Sequence, residues 1–264
     1  MITGLDHVVI AVRDLAASVA AYETLLGRAC AERTARDDVS SALFVLDNIA
    51  VELMAPDGDS ADAQRLRAAL ETGEGLKSLV FATAQIERLH RRCERVGLAP
   101  APMVSRKYGR SFRTNTERTH GVRLFFMQRN ETSPASLPRE APVLGLDHVV
   151  IRTRAPERAA ALYGARLGLD MRLDRELMGR RLMFFRCGDA IVEIADVAEA
   201  EQDDLWGLSW RVRDAEAARA RLAAAGLDVS EVRAGMKPGT RVFTVRDGTR
   251  GVPTLMLEAA RESG

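Results

Sequence analysis

The sequence predicts an α+β protein of four βαβββ units grouped in two domains. The first observation is an internal repeat. LDHVVI stands at Leu5–Ile10 and again at Leu146–Ile151, a step of 141 residues. The same step carries Arg13 to Arg154, Tyr22 to Tyr163, Leu26-Gly27 to Leu167-Gly168 and Glu52 to Glu193. The second is a looser match. GLKSLVFATAQIERLHRRCERVGL (Gly75–Leu98) parallels LSWRVRDAEAARARLAAAGL (Leu208–Leu227), and HGVRLFFMQ (His120–Gln128) parallels RGVPTLMLE (Arg250–Glu258). The chain therefore reads as a first and second module followed by a related third and fourth. The third observation is RNETSPASLPREAP (Arg129–Pro142), whose three prolines and polar residues mark a linker. The domains are expected at 1–130 and 145–260, with the linker at 131–144.

In the first module an alternating strand is predicted over Leu5–Val12. A helix follows, with Asp14 as N-cap, Gly27 just past its end, and Leu15, Val19, Tyr22 and Leu26 on its apolar face. Three short strands come next, near Ala29–Ala35, Ser41–Leu46 and Ile49–Met54, with Asp47-Asn48 as a two-residue turn. The third module repeats this, with Pro156 at the helix start and Gly188-Asp189 as its turn. The helices of the second and fourth modules are expected near Gln85–Val96 and Ala215–Ala225. One helix across one face of such a sheet leaves the other face for a partner unit, so paired units can enclose a cavity.

Lys plus Arg is 38 and Asp plus Glu is 37, a net charge of +1 that gives no basic surplus for nucleic acid. No apolar run reaches the roughly 18 residues of a membrane helix. The N-terminus opens directly on a strand pattern, without a charged n-region, a long h-region or a small-residue cleavage site. Cys30, Cys93 and Cys187 are far apart and lack metal or disulfide spacing. These features predict a cytoplasmic protein with reduced cysteines, no nucleic-acid or membrane partner, and a monomeric or homodimeric state. A GxGxxG turn after a strand, a Walker loop, GxSxG and HExxH are all missing from the sequence.

Tandem βαβββ units opening with LDHVVIAVRDL resemble the vicinal oxygen chelate superfamily. It includes glyoxalase I, methylmalonyl-CoA epimerase, bleomycin-binding proteins and extradiol dioxygenases. The resemblance covers the chain apart from the linker. VELMAPDGDS followed by GEGLKSLVFAT is similar to the epimerase branch, and the four-unit length to the dioxygenases. It implies two glyoxalase-like half-barrel domains, each able to hold a divalent metal (zinc, manganese, iron or nickel) on the first and last strands of its units. Carried over, that metal set is His148, Glu193 and Glu258 in the second half, and His7, Glu52 and Gln128 in the first. The second histidine of the family pattern is missing, since Ser78 and the Gly207 region stand in its place. This departs from the two-histidine, one-carboxylate triad of extradiol dioxygenases.

Strand alternation speaks to the same residues independently. Leu5, His7, Val9 and Ala11 share one face, and Val8, Ile10 and Val12 the other. Glu52 stands between Val51 and Leu53, Glu193 between Val192 and Ile194, and Glu258 after Leu257. A carboxylate in an apolar strand needs a partner, and metal is one explanation. Another is metal-free acid/base chemistry, for which Glu52, Glu193 and Glu258 are eligible, with Glu193 or Glu258 expected as catalytic base. The Arg-rich stretch around Arg113 and His120 offers contacts for an anionic ligand, against the ordinary reading of a solvated strand and loop. Trp210 lines a pocket or belongs to the core.

The expected function is a glyoxalase-like lyase, isomerase or epimerase acting on a small oxygenated metabolite. The alternatives are a non-catalytic small-molecule binder of the bleomycin-resistance kind and a degenerate extradiol-type dioxygenase.

Overall fold

The computed structural model describes residues 1–130, 134–177 and 179–260. Residues 131–133 of the expected linker lie outside them. The first module holds β1 (Ile2–Ala11), α1 (Leu15–Leu26), β2 (Glu32–Arg36), β3 (Val39–Val45) and β4 (Ala50–Pro56). A helix that the sequence reading did not predict, α2 (Ala61–Leu70), follows. The second module holds β5 (Gly75–Thr83), α3 (Ile86–Arg95), β6 (Val104–Arg106), β7 (Gly109–Arg113) and β8 (Arg123–Arg129). The third holds β9 (Val143–Thr153), α4 (Pro156–Ala160), β10 (Asp170–Leu177), β11 (Arg180–Cys187) and β12 (Ala190–Asp196). The fourth holds β13 (Asp204–Val212), α5 (Ala215–Ala224), β14 (Arg233–Ala234), β15 (Arg241–Val245) and β16 (Thr254–Glu258).

The described residues form two eight-stranded sheets, ordered β2-β3-β4-β1-β5-β8-β7-β6 and β10-β11-β12-β9-β13-β16-β15-β14. Identical strand order in both is the duplication made visible. This is an α+β fold of four repeated units, as the sequence predicts. Among the described residues no helix is long and apolar enough to cross a membrane.

Local chemistry explains the elements. Asp14 accepts a hydrogen bond from the Ala17 N–H at 2.9 Å, and Gly27 ends α1 at φ 59°. That left-handed conformation costs glycine nothing. The corresponding helix of the third module begins at Pro156 but turns π-helical over Ala161–Arg166. Gly164, a weak helix former, sits in that stretch where α1 carries Glu23.

By packing, the described chain divides into two compact units. One holds Met1–Val8, Lys77 to Asn130, and His148–Trp206; the other holds Val9–Leu76, Pro134–Asp147 and Gly207 to Ala260. In the first unit Arg92 of α3 donates to the carbonyls of Arg166 (3.0 Å) and Ala165 (2.9 Å). Arg166 donates back to those of Val96 and Gly97, both at 2.9 Å. In the second unit Arg221 of α5 donates to the carbonyls of Thr24 and Leu25 at the end of α1. These are equivalent positions in the repeat. One arginine thus satisfies orphan carbonyls at the end of a neighbouring module's helix, twice over. The described part of the linker is tied down in the second unit. Ser136 is buried and bonds the Val45 N–H through Oγ, while Arg28 donates to the carbonyls of Val143 and Ser136.

Candidate functional site

The third module brings His148 and Glu193 together. β9 and β12 run parallel, with His148 opposite Ile191 and Val150 opposite Glu193. Val149, Ile151, Val192 and Ile194 are fully buried on the helix-covered side. Alternation therefore turns His148 and Glu193 to the other face. His148 Nε2 lies 3.4 Å from Glu193 Oε2, and their side chains are 18% and 11% exposed. The immediate neighbours of Glu193 on that face are apolar, and Arg152 and Arg186 lie further along it. Phe184 stands directly across from Glu193 and Leu182 across from Ala195. Val150, Leu182 and Ala195 form a small cluster flanked by Leu177, Phe184 and Val197. The result is a carboxylate–imidazole pair set in a hydrophobic wall.

His7 is placed differently. Its Nδ1 is 2.5 Å from Asp6 Oδ1, and Asp6 is also gripped by Arg129, with Nε and Nη2 each 2.7 Å from a carboxylate oxygen. Burial pushes the Asp6 carboxyl up, but the hydrogen bonds from His7 and Arg129 outweigh it and hold the group at about 2. The sequence reading missed this triad. Its signal was present, because aspartate precedes the histidine in both copies of LDHVVI. Glu52 sits half-buried on β4, between the fully buried Val51 and Leu53 and opposite Leu43 of β3.

The two closing-strand candidates point elsewhere. Gln128 Oε1 accepts the Ile86 N–H at 3.0 Å, at the start of α3. Glu258 Oε2 accepts the Ala215 N–H at 2.9 Å, at the start of α5. On β16, Thr254, Met256 and Glu258 are buried together, whereas Leu255 and Leu257 on the other face are half-buried. Both residues therefore satisfy orphan helix N–H groups through one side-chain oxygen. Trp210 is 1% exposed in the core, opposite Met256 on β16, so it packs and does not line a pocket. Arg113 is exposed at the end of β7. His120 adopts φ 60° and lines a cavity of about 390 Å³ that also includes Arg154, Arg158, Glu117 and Glu201. Burial, then the Arg158 and Arg166 charges, hold His120 below its ordinary value, with Asp203 opposing.

A three-ligand metal centre does not fit these residues. Gln128 and Glu258 are engaged at helix starts, and among the described residues no three His, Cys, Asp or Glu side chains group closely enough to share an ion. The His148–Glu193 pair supplies two ligands, fewer than the three protein ligands of a catalytic site such as that of zinc.

The described geometry agrees with two family models. Residues 5–168 match a glyoxalase-like domain, and residues 145–251 match the glyoxalase/bleomycin resistance protein/dioxygenase superfamily. No curated protein sequence matches significantly. Solved structures share the fold at low identity. A mutant 4-hydroxymandelate synthase from Streptomyces coelicolor has a TM-score of 0.76 at 14% identity, covering 100% of this chain and 95% of that one. The Mn(II)-bound glyoxalase from Novosphingobium aromaticivorans has a TM-score of 0.72 at 14% identity, covering 98% and 83%. A catechol 2,3-dioxygenase has a TM-score of 0.71 at 16% identity, covering 98% and 89%. With its repeated βαβββ modules and a family model spanning more than half its length, the chain belongs to the glyoxalase-like family of the vicinal oxygen chelate superfamily.

Proposed function

We propose that this chain is an isomerase or epimerase that moves a proton at a carbon beside a carbonyl group of a small oxygenated metabolite. Glu193 is the base and His148 the group that orients it. The observation that carries this reading is the 3.4 Å His148–Glu193 pair facing out of an apolar wall. A carboxylate held within reach of a carbon-bound proton can accept it as a general base. In the step, a Glu193 oxygen takes the proton from carbon and the carbon's electron pair delocalises onto the carbonyl oxygen. Delivery of a proton from solvent to the opposite face of the same carbon gives epimerisation, and return by Glu193 to a neighbouring atom gives isomerisation. Phe184, Val150 and Leu182 exclude water that would compete for the base. The structural relatives bear on the fold alone; the chemistry rests on this pair.

The test is solvent exchange. The protein is incubated in deuterium oxide with a panel of small carbonyl metabolites, and loss of the proton beside the carbonyl is followed by NMR. The expected result is exchange with at least one compound, slowed by about 100-fold or more in Glu193→Gln. Equal exchange in wild type and variant would remove Glu193 from the role. Saturable binding of a panel compound without exchange would favour the small-molecule binder.

A further inference from the structure

The second module carries a cationic wall that its fold does not require. On β8, Phe125 lies opposite Arg113 of β7, and Arg123 is two residues before Phe125. Directly opposed residues share a face, as do residues two apart in one strand. Arg113, Arg123 and Phe125 therefore project from the same side of the sheet. The parallel pairing of β5 with β8 adds Ser78, opposite Arg123, and Val80, opposite Phe125. The other side is the core, where Phe112 and Phe126 stack with ring centroids 4.9 Å apart. Arg113 and Arg123 are both exposed, and neither has a hydrogen-bond or ion-pair partner among the described residues. Lys77 precedes Ser78 and stands close enough to Arg123 for that charge to lower its pKa, adding to burial.

The fourth module shows what the fold needs at these places. There Leu255 takes the position of Phe125 and Thr244 of β15 lies opposite it. Pro253 stands where Arg123 stands, and Gly207 where Ser78 stands. The same strands form with neutral residues. Two neighbouring arginines cost electrostatic repulsion, and folding supplies no reason to keep them.

We infer that Arg113 and Arg123 form a recognition site for the carboxylate or phosphate group of a small ligand whose apolar part lies against Phe125 and Val80. Guanidinium groups bind both kinds of anion through paired N–H donors. An anion between them removes their mutual repulsion. The inference is independent of proton transfer at Glu193, because binding alone satisfies it.

The experiment is isothermal titration of the whole chain at low ionic strength, with inorganic phosphate in one arm and succinate in the other. Wild type is compared with Arg113→Thr, Arg123→Gln and the double variant, with circular dichroism and melting as checks on folding. Threonine at the first position is what the fourth module carries, so the fold tolerates it. Saturable binding of one or both anions is expected, about tenfold weaker in each single variant and lost in the double. The tighter arm identifies the headgroup. No saturable binding of either anion by wild type overturns the site. So does binding that survives in the folded double variant.

Discussion

Asp6 is where residue-level chemistry is most directly testable. Its carboxyl sits at about 2 against an ordinary 3.8, because the hydrogen bonds from His7 and Arg129 outweigh the upward push of burial. A folded-state pKa depressed in this way stabilises the native protein above the unfolded value. That stability is lost as pH falls through the folded value. The contribution is about 2 kcal/mol, present in full above pH ~4 and fading between about 4 and 2. Asp6→Asn is expected to lower the urea midpoint at neutral pH and to flatten its dependence on pH across that window. A midpoint that keeps the wild-type slope would refute the assignment. Alternation exposed His148 and Glu193 in the sequence because Val192 and Ile194 are unmistakably core. It could not orient Glu258. TLMLE is apolar at Leu255 and Leu257 as well as at Met256, so the pattern marks neither face as inside, and a one-residue shift reverses every side chain. For Trp210 alternation is clear, since LSWRV sets Leu208, Trp210 and Val212 on one face, but the pattern does not say whether that face meets core or cavity.

Among the elements, the helix starts of the second and fourth modules share one device. A side chain at the end of the closing strand accepts the first N–H of the module's helix, Gln128 for α3 and Glu258 for α5. In α3 no side-chain bond from the Gln85 N-cap is made, so Gln128 substitutes for it. Removing such an acceptor leaves a buried N–H unsatisfied. Glu258→Ala is therefore expected to cost about 1–2 kcal/mol by chemical denaturation. Glu258→Gln should stay within about 0.5 kcal/mol of wild type, because the second module already uses glutamine here. A Gln variant as unstable as the Ala variant would mean that negative charge, not the acceptor atom, matters. The α1 caps and the βαβββ succession of elements were legible from Asp14, Gly27 and the apolar alternation. The helix α2 was not. It buries only Ala63, Ala69 and Leu70, too sparse an apolar stripe for periodicity to stand out, although Ser60 accepts the Ala63 N–H as a regular N-cap.

Across the whole molecule, duplication provided four similar modules, and their differences carry the functional argument. The backbone devices are kept in both halves: equal strand order, arginines capping helix ends, and closing-strand acceptors at helix starts. The chemical residues are not kept alike. The second module has Arg113 and Arg123, without ion-pair partners among the described residues, where the fourth has Thr244 and Pro253. The repeat was readable because LDHVVI survived letter for letter. The packing of the first module against the fourth, and of the second against the third, was not readable, because it depends on single arginines reaching carbonyls distant in sequence. The central claim is that the Glu193 site of the third module moves the proton. The most direct measurement is NMR exchange of the proton beside the carbonyl, in deuterium oxide, for wild type, Glu193→Gln and the repeat-equivalent Glu52→Gln side by side. The account predicts loss of exchange in Glu193→Gln alone. Loss in Glu52→Gln with exchange kept in Glu193→Gln would contradict it and move the chemistry to the first module.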